Sequence, residues 1–107
     1  QPSSVRAGGI QEILYIAENA YNFGSLCIPH TWCHVVGVAV ELHLAAITPN
    51  MPYFEFPIAF PKSPLITDLL TPSFKISKEG SIEVPDRPGL GFELNEDVIK
   101  EYRVTPY

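Results

Sequence analysis

Ile10, Ile13, Leu14, Ala17, Ala20 and Tyr21 recur at three- and four-residue spacing, with Gln11, Glu12, Glu18 and Asn19 between them. That is the period of a helix with one apolar stripe. Gly8 and Gly9 precede it, and Asn22-Phe23-Gly24 ends it with a residue suited to a left-handed cap. The segment Ser25 to Ile28 is continuous rather than alternating, the pattern of a parallel strand covered on both faces. Pro29 removes a ladder donor and closes it. From Cys33 to Ile47 apolar residues fall on nearly every side, which predicts a helix buried on most faces, ended by Pro49-Asn50-Met51-Pro52. Tyr53-Phe54-Glu55-Phe56 then reads as another apolar strand carrying one carboxylate.

Beyond Phe56 the texture changes, with Pro57, Pro61, Pro64 and Pro72 interrupting any long element. Phe74, Ile76, Ile82 and Val84 alternate with polar residues around Ser77-Lys78-Glu79-Gly80, a hairpin signature with Gly80 in the turn. Asn95 is placed to cap a short helix over Glu96 to Tyr102. The chain therefore divides into 1–60 and 61–107. The first part runs strand end, helix, strand, helix, strand, the repeating unit of a parallel α/β sheet. A (β/α)₈ barrel takes about 250 residues. The expected fold is thus the last strands and helices of a TIM-like barrel, incomplete on its own, followed by a hairpin and a short helix. Half a barrel exposes two strand edges and an apolar helix, which favours association.

Composition narrows the partners. Of 107 residues, 46% are hydrophobic and only 18% charged, which suits one core-rich domain. The net charge of −5 comes from scattered acids with no basic stripe, so nucleic acid and anionic membrane have no electrostatic support as partners. No apolar run approaches the roughly 18 residues that span a bilayer, and no basic-then-apolar leader opens the chain. Cys27 falls in a strand pattern and Cys33 opens a helix, so a disulfide is not expected, and a reducing, cytoplasmic setting fits. Gln1 opens the chain and the one methionine is Met51, which points to a longer protein.

Two residues carry candidate chemistry. In parallel order, His30 and Glu55 end their strands at one rim, where α/β enzymes keep their catalytic groups. The same pattern also suits a strand-end histidine satisfied by backbone groups and an ordinary strand-end carboxylate. Trp32 reads as packing or pocket wall, and His34 and His43 as parts of a core helix. Cys27, His30, Cys33 and His34 are close in sequence, but a cysteine within a strand and the lack of separated ligand pairs argue against zinc.

Five segments in order resemble a known family. They are Arg6-Ala7-Gly8-Gly9-Ile10, Pro29-His30-Thr31-Trp32, Leu42-His43-Leu44-Ala45-Ala46, Phe54-Glu55-Phe56, and Val84-Pro85-Asp86-Arg87-Pro88-Gly89-Leu90-Gly91. Together they resemble the carboxy-terminal part of the mandelate racemase and muconate lactonizing enzyme group of the enolase superfamily. The phrasing is nearest that of the acid-sugar dehydratases. The resemblance implies a (β/α)₇β barrel, with a capping domain built from residues before this chain. It also implies Mg²⁺, held by ligands outside this chain, and a small-molecule carboxylate, an acid sugar, as substrate. The complete enzyme is expected to be a homo-oligomer. His30 matches the family's general base or acid on the seventh strand. Glu55 matches the eighth-strand carboxyl group that donates to the developing enediolate, a role needing a protonated acid. Ser3 departs from the pattern, since it stands where the family has an aspartate that orients the histidine. A hydroxyl supplies no charge, so His30 is expected to be a weaker base. The 107 residues alone are expected to be inactive. The alternative is a non-catalytic remnant acting as an assembly or binding module.

Overall fold

The computed structural model describes residues 1–58 and 63–105. These fall into two units, Gln1–Ile58 and 59–107. The expected boundary between residues 60 and 61 lies outside the described residues.

The first unit holds two helices, α1 (Ile10–Asn22) and α2 (Val35–Ile47). At the end of α1, Ser25 N–H donates to Ala20 O and Gly24 N–H to Tyr21 O, with Gly24 at φ 67°. This closure satisfies carbonyls that the last turn leaves open. The apolar stripe is narrower than the sequence predicts: Ile13 and Ala17 are buried, whereas Ile10, Leu14 and Tyr21 are exposed. Among the described residues nothing covers that flank. Ile13 and Ala17 pack with Cys27, Leu44 and Met51 into the core of the unit, and Ala20, Val40 and Ala45 close around it.

Helix α2 starts at Val35 rather than Cys33. His34 is its N-cap, and its Nδ1 accepts the Gly37 N–H at 3.1 Å. Val35, Val38, Ala39, Leu42 and Leu44 are buried, as the all-round pattern predicts. Gly37 is needed for close approach, because a Cβ there would meet Cys33 Sγ and Val5 Cγ2 at 2.7 Å each. After α2, the buried Asn50 stitches three segments together. Its amide donates to Ala17 O at 2.9 Å and Ser25 O at 3.1 Å, while its own carbonyl accepts the Cys27 N–H at 2.9 Å.

The expected strands at Ser25–Ile28 and Tyr53–Phe56 do not form ladders among the described residues. A parallel ladder needs evenly spaced bonds to one neighbouring strand. Here successive donors diverge: Cys27 N–H goes to Asn50 O, His30 N–H to Pro2 O, and Thr31 N–H to the Glu55 side chain.

The second unit has a short helix α3 (Pro64–Thr67), strands β1 (Leu70–Thr71) and β2 (Glu93–Leu94), and helix α4 (Glu96–Tyr102). The strands pair antiparallel, Leu70 with Leu94 and Thr71 with Glu93. Their two-residue length gives almost no period-2 signal, which is why sequence pattern does not reveal them. Asn95 caps α4 as expected, Oδ1 accepting from Asp97 and Val98 N–H. The expected hairpin around Gly80 reduces to a single antiparallel bridge, Ile76 with Ile82. Its turn is organised by Ser77, whose Oγ accepts from Glu79 and Ser81 N–H. Pro72 and Pro85 flank this stretch and offer no donors to extend it. Gly91, at φ 73°, lets the chain pass Pro85, where a Cβ would lie 2.3 Å from the proline Cβ.

Candidate functional site

His30 and Glu55 are both in the first unit, and Thr31 joins their segments. Thr31 is wholly buried, at 0% exposure. Its N–H donates to Glu55 Oε2 at 2.9 Å, and its hydroxyl donates to the Glu55 carbonyl oxygen. This two-point clamp fixes Glu55 beside the peptide that follows His30. Glu55 Oε2 thus anchors the segment. Phe54 and Phe56 flank it with ring centroids 6.3 Å apart.

His30 is half-buried, and its backbone N–H donates to Pro2 O at 2.8 Å. That bond lays Pro2 beside the His30 segment, with Ser3 the next residue after it. Ser3 is buried; its carbonyl accepts from Arg6 and Ala7 N–H, and its Oγ has no partner among the described residues. Trp32 is 52% exposed, and its carbonyl receives a long contact of 3.5 Å from the Arg6 guanidinium. His34 and His43 are both engaged with helix backbone. His34 caps α2, and His43 Nδ1 lies 2.9 Å from Ala39 O.

Sequence reasoning passed over Thr31 and Glu41. Thr31 sits inside the Pro-His-Thr-Trp motif, and a threonine next to a strand-end histidine in an apolar run was the available signal. Glu41 is the lone acid in the thirteen residues of α2 and is fully buried. A carboxyl group in an otherwise apolar helix has to find a partner. Its field reaches the two thiols: burial raises Cys27 and Cys33 above the usual thiol range, Glu41 adds to the shift, and Arg6 opposes it at Cys33. Among the described residues no group of three or more His, Cys, Asp and Glu is arranged to hold a metal ion. Among the described residues no helix is long and apolar enough to cross a membrane. A cavity of about 640 Å³ lies in the second unit, between Phe74, Phe92, Lys75 and Arg87, and contains none of the candidate residues.

The family profile described as enolase C-terminal domain-like matches residues 1–98. An arabinonate dehydratase from Saccharolobus solfataricus is 34% identical over 96 residues, covering 90% of this chain and 25% of the relative. A D-galactarolactone cycloisomerase from Agrobacterium fabrum is 33% identical over 112 residues, covering 97% of this chain and 29% of the relative. The crystal structure of a mandelate racemase/muconate lactonizing enzyme from Jannaschia sp. CCS1 superposes with a TM-score of 0.81 at 34% identity, covering 100% of this chain and 26% of that one. The chain thus spans about a quarter of the length of the relatives it matches.

Proposed function

This chain belongs to the enolase C-terminal domain-like family, and from that premise we propose that it is the carboxy-terminal part of an enzyme that removes the proton alpha to a carboxylate. Acid-sugar dehydration is the reaction, with the last units of a (β/α)₇β barrel as its frame. The observation that carries the reading is the Thr31 clamp, which ties the His30 and Glu55 segments together.

In this reading the His30 imidazole takes the α-proton, and the electron pair of the broken C–H bond moves into the carboxylate to give an enediolate. The β-hydroxyl leaves, and the proton held on the imidazolium goes with it as water. Glu55, when protonated on Oε1, would donate a hydrogen bond to the enediolate oxygen while Oε2 accepts the Thr31 N–H. The family implies Mg²⁺, which when bound supplies charge stabilisation to the enediolate. The described residues do not fit it, since they include no suitable donor cluster. Its ligands are proposed to come from the rest of a longer protein.

Solvent deuterium exchange into an aldonate library, with the complete protein and magnesium, tests the proposal. Wild type is expected to exchange the α-proton and His30→Asn to lose it; unchanged exchange in the variant removes His30 from the mechanism. Ser3 supports a second reading, a non-catalytic member of the family that serves as an assembly or binding module. Absence of exchange from every aldonate, with the wild-type protein folded, favours that reading.

A further inference from the structure

Glu41 Oε1 accepts the Ser4 N–H, while Oε2, equally shut from solvent, has no partner among the described residues. On the other side of Ser3, Pro2 O accepts the His30 N–H at 2.8 Å. The chain is therefore held on both flanks of position 3, by α2 through Ser4 and by the His30 segment through Pro2. Ser4 N is two covalent bonds from the Ser3 Cα, so the Ser3 Cβ lies within about 7 Å of the Glu41 carboxyl group. A carboxylate at position 3 would be introduced beside one already buried.

We propose that Glu41 anchors the chain at Ser4, beside position 3, and that its carboxylate and an aspartate at position 3 are mutually exclusive. This rests on reading Ser3 as the family's aspartate position. Two like charges at that separation, with little water between them, oppose each other. The serine is then the counterpart of a charge kept on α2, where it anchors the Ser4 peptide, rather than a simple loss. An apolar residue at 41 would leave that buried N–H without an acceptor.

A double-mutant cycle tests the coupling: wild type, Ser3→Asp, Glu41→Gln and the double variant, each unfolded in urea as the complete protein. Glutamine keeps an acceptor for Ser4 and removes the charge, so Glu41→Gln alone is expected to lower the folding constant by less than about tenfold. Ser3→Asp alone is expected to lower it by about 30-fold. In the Glu41→Gln background the same change should cost at least about tenfold less. A space-filling role for Glu41 predicts no such relief, and a Ser3→Asp cost equal in both backgrounds within about twofold overturns the proposal. Should Ser3→Asp alone fail to fold, recovery of native circular dichroism in the double variant supports the coupling, and failure of both overturns it. The cycle needs no substrate. Intact coupling in a protein without exchange activity retires the proposed reaction only, and lost coupling in an active protein retires this inference only.

Discussion

Removing the Glu55 side chain should cost stability, because its acceptor serves a donor that has no access to water. Thr31 is 0% exposed, and its N–H has Glu55 Oε2 as partner at 2.9 Å. In Glu55→Ala that donor stays buried and unpaired, a loss of about 1–3 kcal/mol. Glu55→Gln keeps an oxygen in reach of Thr31 and should stay within about 0.5 kcal/mol of wild type. Thr31→Val deletes only the hydroxyl that donates to the Glu55 carbonyl, at a cost of about 1 kcal/mol. Urea unfolding of the three variants, with the slope against denaturant unchanged, gives these differences directly. The same proteins separate anchor from chemistry, since Glu55→Gln should remain folded yet exchange the α-proton more slowly, its amide being a weaker donor than a carboxylic acid. An alanine variant as stable as wild type, or a glutamine variant as unstable as alanine, would refute the clamp.

Three further outcomes follow from the same geometry. Asn50→Ala removes two donors and empties a buried site, so it should destabilise the protein by about 2–3 kcal/mol, whereas Asn50→Asp, which cannot donate, should be no better; a loss below about 0.5 kcal/mol in chemical denaturation contradicts the role drawn for Asn50. Gly91→Ala combines a positive φ with a Cβ 2.3 Å from that of Pro85, and limited proteolysis should show the 59–107 unit opening more readily, with unchanged cleavage as the contrary result. Cys33 should alkylate slowly at neutral pH and gain rate only above the usual thiol range, because burial and Glu41 favour the neutral thiol. With the folded value raised, the stability linked to this thiol is complete below the unfolded titration and is lost as pH rises through the folded one. An iodoacetamide rate profile that levels off at or below the free-thiol range would contradict this.

The helices were legible because their signals are local. The Asn22-Phe23-Gly24 ending and the all-round apolar run of α2 both fix structure within a few residues, and both are observed. Ser25–Ile28 and Tyr53–Phe56 were not, because a strand is defined by its neighbours, and the N–H groups of Cys27, His30 and Thr31 go to Asn50, Pro2 and Glu55 instead of to one adjacent strand. Likewise His30 and Glu55 could be named from motif and pattern. What joins their segments is a threonine hydroxyl and a peptide N–H, groups whose use depends on a partner 24 residues away. Glu41 was visible as an anomaly of composition in α2, but only the fold shows that Ser4 answers it.

The Asn50 stitch has a kinetic meaning. Its two amide bonds span 33 and 25 residues, to Ala17 and Ser25, so they form only when α1, α2 and the segment between them have already docked. Closing such loops carries an entropy cost that the local helices do not. Asn50 is therefore expected to be a latch and not a nucleus: Asn50→Ala should speed unfolding more than it slows refolding, and the reverse pattern in denaturant-jump kinetics would contradict this.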